Sequence, residues 1–248
     1  MDVNNAAHDE LRDQIARWSA AFHSEDWSGR LPLESERWRR RLAYRCAKRG
    51  LDIASAALAL LLLAPFFLVL ALLIRRDSPG PVLFRQERVG RNLRPFAILK
   101  FRTMYHESTQ SSRQLTVGSD RRITPSGHWL RRTKLDELPQ LWNVLVGDMS
   151  LVGSRPEVPR YVACHPEAYR VLLLARPGIT DRASLVLRDE SALLGRVGAD
   201  PAAAERYYRD ELLPAKIWLS LEDRSEHAGF VHDLRLILET LGVLRIAP

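Results

Sequence analysis

Residues 53–74 read IASAALALLLLAPFFLVLALLI and contain no charged side chain. As a straight helix these 22 residues measure roughly 33 Å, close to the roughly 30 Å hydrocarbon thickness of a bilayer. Pro65 lies near the middle, where a proline removes a backbone donor and kinks or breaks a helix. The stretch therefore predicts a membrane helix that is divided by its proline.

Basic residues flank this stretch on both sides, with Lys48 and Arg49 before it and Arg75 and Arg76 after it. Because Lys and Arg are enriched on the cytoplasmic side of a membrane, both ends favour the same face. A helix that enters the bilayer, turns at Pro65 and leaves on the same side satisfies both observations. A simple spanning helix and a buried helix of a soluble protein are the alternatives.

The chain as a whole is basic, with 37 Lys and Arg against 30 Asp and Glu and a formal net charge of +7. Its 248 residues give room for one substantial domain plus a membrane element. The charge favours an anionic partner, and the lack of nucleic-acid recognition motifs argues against nucleic acid. Cys46 and Cys164, the only cysteines, form no disulfide framework or zinc site and are expected as packed thiols in a reducing compartment.

The N-terminal region carries its own pattern. Apolar residues spaced by four, three and four predict an amphipathic helix; they are Leu11, Ile15, Trp18 and Phe22. Trp27 and Trp38 follow, together with a run of arginines up to Arg45. Tryptophan and arginine beside a membrane segment favour an interfacial anchor on anionic lipid, with an ordinary solvated charged surface as the alternative.

Two β-prone runs, 82–89 and 95–104, surround a Gly/Asn turn at 90–92 and predict a hairpin. Alternation along the second run places Lys100 and Arg102 on one basic face, opposite an apolar face. The polar residues 106–122 that follow predict a loop, either a lid or a plain surface loop.

Asp136 and Glu137 lie in the run KLDELPQLWN at 134–143, and Pro139 is tolerated only near a helix start. The two acids are therefore expected at or just before a helix N-terminus, which favours anions. An apolar stripe in that helix predicts core packing; it comprises Leu138, Leu141, Trp142 and Leu145.

Adjacent carboxylates diverge by about 100° on a helix, so they do not share one proton. One acid can bind a hard cation such as Mg²⁺, which favours one or two carboxylates plus phosphate oxygens, while the other attacks an electrophile. An isolated Asp-Glu pair is usually no more than a solvated helix start. Cations surround this one in the sequence, at 131–134 and at Arg155 in a Gly/Ser/Pro turn, and they favour a site for phosphate and metal.

Farther along, residues 178–180 (GIT) are predicted to form a turn and residues 207–221 a helix. Residues 230–244 predict an amphipathic helix, for which core packing and the membrane interface both remain open. Its apolar stripe comprises Phe230, Leu234, Ile237, Leu238, Leu241 and Leu244.

Several ordered motifs together resemble the bacterial sugar transferase family, the monotopic phosphoglycosyl transferases that start glycan assembly on polyprenyl phosphate. They run from about residue 44 to the C-terminus: KRGLD at 48–52, GPVLFRQERVG at 80–90, KFRTM at 100–104, LDELPQLWNV at 135–144, GDMSLVGSRP at 147–156 and RPGIT at 176–180. No single motif carries the resemblance, but their order over some 200 residues does.

The resemblance implies a mostly helical α+β fold: a Pro-broken re-entrant membrane helix, a β-hairpin and amphipathic interfacial helices around a small cytoplasmic domain. It divides the chain into an N-terminal arm (1–43), the re-entrant helix (44–76) and a catalytic domain (77–248). It implies a monotopic protein on the cytoplasmic face of a bacterial inner membrane, in contact with membrane lipids. Self-association, for example through residues 1–43, is left open.

The implied reaction moves a sugar 1-phosphate from a UDP-sugar to polyprenyl (undecaprenyl) phosphate, as the first step of surface glycan assembly. The position matching Asp136 attacks the β-phosphate and releases UMP, and the position matching Glu137 holds Mg²⁺. Arg155 is expected to bind phosphate, and Lys100, Arg102 and Arg131 are further candidates. A catalytically silent scaffold or a protein that only binds anionic ligands is the alternative.

The chain departs from the family pattern at three places. Ser154 stands where the first proline of a Pro-Arg-Pro turn is usual, and Ala64 precedes Pro65 where serine is common. Asp181 and Arg182 replace a more frequent Gly-Trp/Leu pair, a difference that can bear on sugar choice.

Overall fold

The structure, a computed structural model, describes residues 3–106, 115, 120–197, 200–227 and 229–246. The predicted polar loop therefore lies mostly outside the described residues, at 107–114 and 116–119. The helices are α1 (Val3–Ser24), α2 (Trp27–Arg40), α3 (Leu42–Asp77), α4 (Pro125–Arg132), α5 (Gln140–Val146), α6 (Pro159–Val162), α7 (Pro166–Leu172), α8 (Arg182–Val186), α9 (Glu190–Val197), α10 (Pro201–Tyr207), α11 (Leu213–His227) and α12 (Phe230–Ile246). The strands are β1 (Leu83–Val89), β2 (Pro95–Phe101), β3 (Ser150–Val152) and β4 (Gly178–Thr180). The predicted mostly helical class is confirmed.

The apolar stretch lies entirely within α3, and the predicted division at Pro65 was wrong, because α3 continues as one helix through the proline. Only 11% of its most apolar window is buried inside the protein, whereas the core helix of a soluble protein would be mostly buried. Leu61 and Leu62, for example, are 73% and 67% exposed. The structure therefore argues against the soluble core helix and leaves an apolar surface that suits a membrane.

Both ends of α3 are attached to the same folded body. Near its start, the Asp52 carboxylate accepts hydrogen bonds from Ser150 Oγ at 2.8 Å and Leu151 N at 3.1 Å. At its end, Asp77 accepts hydrogen bonds from the backbone N and the Oγ of Ser126, at 3.0 and 2.5 Å. A helix that crossed a bilayer would place its ends on opposite sides, so these contacts disfavour simple spanning.

The predicted hairpin is confirmed. β1 and β2 pair antiparallel, with Leu83 opposite Phe101 and Val89 opposite Pro95. Asn92 in the connecting turn has φ 55°, a left-handed conformation that asparagine tolerates well.

The outer edge of the hairpin is attached to α5 by one side chain. Asn143 Oδ1 accepts a hydrogen bond from Leu99 N at 3.0 Å, and its Nδ2 donates to Ala97 O at 2.8 Å. The amide thereby satisfies backbone groups that a β-edge would otherwise leave unpaired. This attachment holds β2 against the helix that follows the two acids.

The prediction of a turn at 178–180 was wrong, because these residues form β4, which pairs in parallel with β3. Gly153, which follows β3, lies very close to Gly178, the first residue of β4: a Cβ on Gly178 would lie 2.1 Å from Gly153 N. Only glycine permits this approach. It is a long-range contact that the local turn residues did not reveal.

The N-terminal amphipathic helix is confirmed as α1, and its apolar side packs on α11 within the main core. Ile15 and Phe22 are 1% and 4% exposed. The tryptophans also contact protein: Trp27 Nε1 donates to Phe22 O at 3.2 Å, and the Arg45 guanidinium lies 5.1 Å from the Trp38 ring centre. The expected tryptophan anchor on lipid is therefore not supported for these two residues.

Core packing, one of the two interpretations left open for the α12 stripe, is not supported by the exposure of its residues. Phe230, Leu234, Leu238 and Leu241 are 43–58% exposed, whereas Leu236, which is not in the stripe, is buried. The side of α12 that packs on the protein carries Leu236, which is buried, and Asp233, which accepts a hydrogen bond from Lys48 Nζ. With that side turned inward, the apolar stripe faces outward. The alternative, a helix on the membrane interface, is the one that this exposure favours.

Two smaller packing predictions also failed. Trp142 is 52% exposed. The short α5 buries the side that carries Leu141 and Val144, and Trp142, one position after Leu141, points about 100° away from it. Cys46 and Cys164 are both exposed thiols rather than packed ones.

Candidate active site

The two acids lie in a single 3₁₀ turn, Leu135–Glu137, between α4 and α5. Lys134, immediately before it, has φ 57°, an uncommon left-handed conformation for a residue with a side chain. This change of direction and the proline after the turn place both acids just ahead of α5, as the sequence predicted.

Glu137 is held by two cations. Arg155 Nη1 donates to Oε2 at 3.0 Å, Arg155 Nη2 donates to Oε1, and Lys100 Nζ donates to Oε1 at 2.9 Å. Burial alone would raise the pKa of the Glu137 carboxyl, but Arg155 and Lys100 outweigh burial and hold it well below its usual range. Glu137 is therefore ionised at neutral pH.

Asp136 stands in a contrasting environment. It is 7% exposed, and its Oδ1 is buried without a hydrogen-bond partner among the described residues. Burial, followed by the charge of Glu137, raises the pKa of the Asp136 carboxyl, while Lys100 and Arg131 act in the opposite direction. An oxygen that is buried, unpaired and near several cations is suited to attack an anionic substrate.

The other predicted cations take different places. Lys100 donates a hydrogen bond to Glu137. Arg131 Nε donates to Thr103 Oγ1 at 2.8 Å, and the Arg131 charge is close enough to Asp136 to lower the pKa of that carboxyl. Arg102 does not contact the acids: it is 2% exposed, and its guanidinium donates to Ser78 O at 2.6 Å and Pro79 O at 2.9 Å. These contacts favour a capping role at the end of α3 over contact with a phosphate.

The acids open onto a large cavity of about 1050 Å³. All six predicted site residues line it: Lys100, Arg102, Arg131, Asp136, Glu137 and Arg155. The guanidinium of Arg102, however, is engaged by the carbonyls at the end of α3. Further cations, Arg122, Arg132, Lys134 and Arg188, line the same cavity. A pocket of this size and charge suits a nucleotide-sized anion.

A polar cluster in the same cavity was not predicted. Glu157 accepts hydrogen bonds from Tyr208 OH at 2.6 Å and Lys216 Nζ at 3.0 Å, and Lys216 also contacts Glu190 at 3.0 Å. Burial would raise the pKa of Glu157, but Lys216 and Arg88 outweigh it and lower the pKa to about 2. One signal was available: Lys216 is the lone charge within the apolar run 212–219.

Gln140, one turn after the acids, was also missed. It is fully buried, yet its side-chain N and O lack hydrogen-bond partners among the described residues. A buried amide normally has partners. Gln140 and Asp136 therefore leave three unpaired polar atoms within five residues of each other.

Two of the three departures from the family pattern have local explanations. At Ser154, the backbone holds the turn without proline, since Gly178 N donates to Ser154 O at 2.9 Å. Asp181 caps α8 by accepting from Ser184 N at 2.8 Å, and it also accepts from Ser220 Oγ at 2.5 Å. Both residues thus maintain the fold around the cavity.

Comparison with known proteins agrees with this geometry. The chain is 44% identical over 146 residues to the UDP-N-acetylgalactosamine-undecaprenyl-phosphate N-acetylgalactosaminephosphotransferase of Aeromonas hydrophila, covering 58% of this chain and 34% of the relative. It is 48% identical over 150 residues to the UDP-glucose:undecaprenyl-phosphate glucose-1-phosphate transferase of Caulobacter vibrioides, covering 58% and 55%. It is 35% identical over 171 residues to the exopolysaccharide production protein ExoY of Rhizobium meliloti, covering 62% and 75%.

The chain thus spans about a third to a half of the length of the first two relatives. A model of the bacterial sugar transferase family matches residues 43–245, which include both acids, the hairpin and nearly all of α3. The chain belongs to the bacterial sugar transferase family.

Proposed function

We propose that this protein is a phosphoglycosyl transferase that moves a sugar 1-phosphate from a UDP-sugar to polyprenyl (undecaprenyl) phosphate and releases UMP. The observation that carries the proposal is the pairing of a buried, unpartnered Asp136 oxygen with a Glu137 that two cations keep ionised. The names of the Aeromonas and Caulobacter relatives, which specify UDP-sugars and undecaprenyl phosphate, support the same substrates.

In the first step, an Asp136 carboxylate oxygen attacks the β-phosphorus of the UDP-sugar. The bond from that phosphorus to the bridging oxygen breaks, UMP leaves with the bonding electrons, and an aspartyl phosphosugar remains. In the second step, a phosphate oxygen of polyprenyl phosphate attacks the same phosphorus and Asp136 is released. Dividing the transfer in this way replaces one difficult displacement with two easier ones.

The cations supply the electrostatic part of catalysis. Lys100 and Arg155 keep Glu137 ionised and, with Arg131, place positive charge beside the position that the two phosphates must occupy. Such fixed charges stabilise a phosphoryl group in transfer without reorganisation of solvent.

The acid pair also fits Mg²⁺. Mg²⁺ prefers one or two carboxylates together with substrate phosphates, and the described residues contain no cluster of three or more His, Cys, Asp or Glu that would form an all-protein site. Glu137 Oε2 accepts one hydrogen bond among the described residues, from Arg155 Nη1 at 3.0 Å, so it retains a lone pair for the metal while Asp136 Oδ1 stays free to attack. When bound, Mg²⁺ would neutralise charge on the diphosphate.

We further propose that the protein is monotopic, on the cytoplasmic face of the bacterial inner membrane. The attachment of α3 to one folded body at Asp52 and Asp77 and the basic residues at each end support a helix whose two ends lie on the same side of the membrane. The exposed apolar side of α12 supplies a second surface for the same interface.

The test is nucleotide release. The detergent-solubilised full chain is incubated with Mg²⁺, undecaprenyl phosphate and a panel of UDP-sugars, beside Asp136→Asn and the matched control Asp13→Asn, which alters an exposed acid of α1 outside the cavity. We expect UMP from at least one donor, lost in Asp136→Asn and with a chelator, and retained in Asp13→Asn. Release of UDP would instead indicate ordinary glycosyl transfer, and no nucleotide from any donor would favour a silent scaffold.

A further inference from the structure

A second cavity, of about 90 Å³, lies between the start of α3, the hairpin turn and the α11–α12 region, and it shares no lining residue with the active-site cavity. One water needs roughly 10–15 Å³ of such space, so a small charged group has room here. We call it the arginine cavity, because five arginines line it: Arg45, Arg49, Arg91, Arg176 and Arg224.

These five arginines have no carboxylate within ion-pairing distance among the described residues. Their side-chain hydrogen bonds go to neutral backbone carbonyls, such as Arg49 to Val144 O at 2.7 Å and Arg176 to Gly147 O at 2.8 Å. The Arg91 guanidinium makes no hydrogen bond to the described residues, and its Nε is buried. Partly buried arginines are normally paired, so this concentration of positive charge is unusual.

The acids that line the cavity compensate only part of this positive charge, because none of them lies within ion-pairing distance of the five arginines and each makes its hydrogen bonds elsewhere. Asp233 accepts from Lys48 Nζ at 2.7 Å and Tyr44 OH at 2.8 Å, and Asp223 contacts His232 at 2.8 Å. Asp52 and Asp181 accept hydrogen bonds from backbone and serine groups near β3, α8 and α11.

The arginines also repel one another. Burial and then the charges of Arg176, Arg45 and Arg94 lower the pKa of Arg91. Burial and then Arg49 lower the pKa of Arg176, with Asp52 acting against them. An anion in the cavity would relieve this repulsion, and the planar guanidinium suits phosphate oxygens in particular.

The position of the cavity identifies the source of the anion. Part of the cavity is lined by residues in the first turns of α3, just before the apolar segment that begins at residue 53. These residues are Tyr44, Arg45, Lys48 and Arg49. The Tyr44 ring packs on Phe230, the first residue of α12, whose apolar side is exposed. Cations directly beside a membrane segment lie at the depth of lipid phosphates.

We propose that the arginine cavity binds the phosphate group of an anionic phospholipid, with its acyl chains against the exposed apolar surfaces of α3 and α12. The site is distinct from the active-site cavity, so a lipid bound there fixes the depth and orientation of the folded body on the membrane. The proposal does not depend on which reaction the acid pair performs.

The test counts retained lipid. The full chain is purified in detergent, mixed with equal amounts of phosphatidylglycerol and phosphatidylcholine, and examined by native mass spectrometry. We expect the wild type to retain phosphatidylglycerol in preference to phosphatidylcholine. Arg91→Gln should retain at least about tenfold less phosphatidylglycerol than the wild type. Arg94→Gln is the matched control, since it removes the same charge from an exposed residue of the same turn that does not line the cavity; its retention should match the wild type.

Arg45→Gln is a second variant in case Arg91→Gln unfolds, because the hydrogen bond that Arg45 donates to Trp38 O is long, at 3.5 Å, and its loss should cost little stability. The proposal would be overturned if the wild type retained the two lipids equally. It would also be overturned if Arg94→Gln lost as much retained phosphatidylglycerol as Arg91→Gln. A parallel dialysis uses radiolabelled inorganic phosphate and protein in phosphatidylcholine nanodiscs. Phosphate binding that Arg91→Gln abolishes, without selective retention of phosphatidylglycerol, would assign the cavity to soluble anions and overturn the lipid assignment.

Discussion

Arg155 binds both carboxylate oxygens of Glu137, the residue directly after the buried Asp136. The two neighbouring carboxyls therefore differ: cations hold the pKa of Glu137 below its usual range, whereas burial raises the pKa of Asp136. Environment, rather than residue type, separates the roles of the two carboxylates. The first two predictions follow from this difference.

Arg155→Met should shift the pH dependence of turnover. Arg155 is the largest influence that lowers the pKa of Glu137 against burial, so its loss raises that pKa. A carboxylate with a higher pKa is protonated at higher pH, and the acidic limb of the kcat/KM profile should move upward. Breaking a fully buried ion pair typically lowers the free energy of unfolding by about 3–5 kcal/mol. Because Lys100 still compensates Glu137 and the Arg155 side chain is 30% exposed, we expect a smaller loss of about 2–3 kcal/mol here. An unmoved acidic limb would contradict this role.

Asp136→Asn should raise the melting temperature at neutral pH while it abolishes activity. The pKa of Asp136 is raised by burial, so the folded state holds its proton more tightly than the unfolded chain. That contribution to stability is complete at low pH and is lost as pH rises through the raised pKa. The gain of the variant over wild type should therefore grow with pH in thermal melts from pH 4 to pH 8. A gain that is independent of pH would indicate a packing effect instead.

Arg102→Met should destabilise the protein, because it removes the donors that satisfy Ser78 O and Pro79 O at the end of α3. A buried carbonyl left unpaired costs about 1–3 kcal/mol. Arg85→Met, which removes an exposed arginine of β1, serves as the control and should melt within about 1 °C of the wild type. Full stability of Arg102→Met together with lost activity would restore Arg102 as a phosphate ligand.

Lys216→Met should be strongly destabilising, since Glu157 is 6% exposed and would lose its main compensating charge. Breaking a buried pair of this kind costs about 3–5 kcal/mol. The double variant Glu157→Gln/Lys216→Met should recover part of that loss, because no uncompensated acid then remains. A double variant no more stable than the single one would show that the Lys216 stem, rather than its charge, matters.

The same cluster predicts an acid transition. The pKa of Glu157 is lowered from 4.5 to about 2, so its contribution to stability is present above about pH 4.5 and disappears as pH falls toward 2. The melting-temperature difference between wild type and Glu157→Gln should therefore shrink over this window. A difference that stays constant down to pH 2 would contradict the lowered pKa.

The sequence predicted the local features well because their causes are local. Pro139 restricts where a helix can start, and that restriction placed Asp136 and Glu137 correctly. The Gly/Asn turn similarly placed the hairpin. Arg155 was proposed as a phosphate ligand from family resemblance, whereas its pairing with Glu137, 18 residues earlier, required the structure.

Features that depend on distant contacts were not predictable. Lys216 lies 59 residues from Glu157, and no local pattern connects them. The apolar stripe of α12 reads the same whether it faces a core or a membrane, so only the observed exposure of Leu234 and Leu238 separates the two. The strand β4 was mistaken for a turn because its partner, β3, is 28 residues away.

The hydrogen bonds at Asp52 and Asp77 give α3 a role beyond anchoring. Because the carboxylates of Asp52 and Asp77 fix α3 to the folded body, the helix contributes contacts to the fold as well as an apolar surface. A foreign hydrophobic helix in place of α3 would leave Ser126, Ser150 and Leu151 without their carboxylate acceptors. The apolar helix of this chain is therefore not interchangeable with another of equal length.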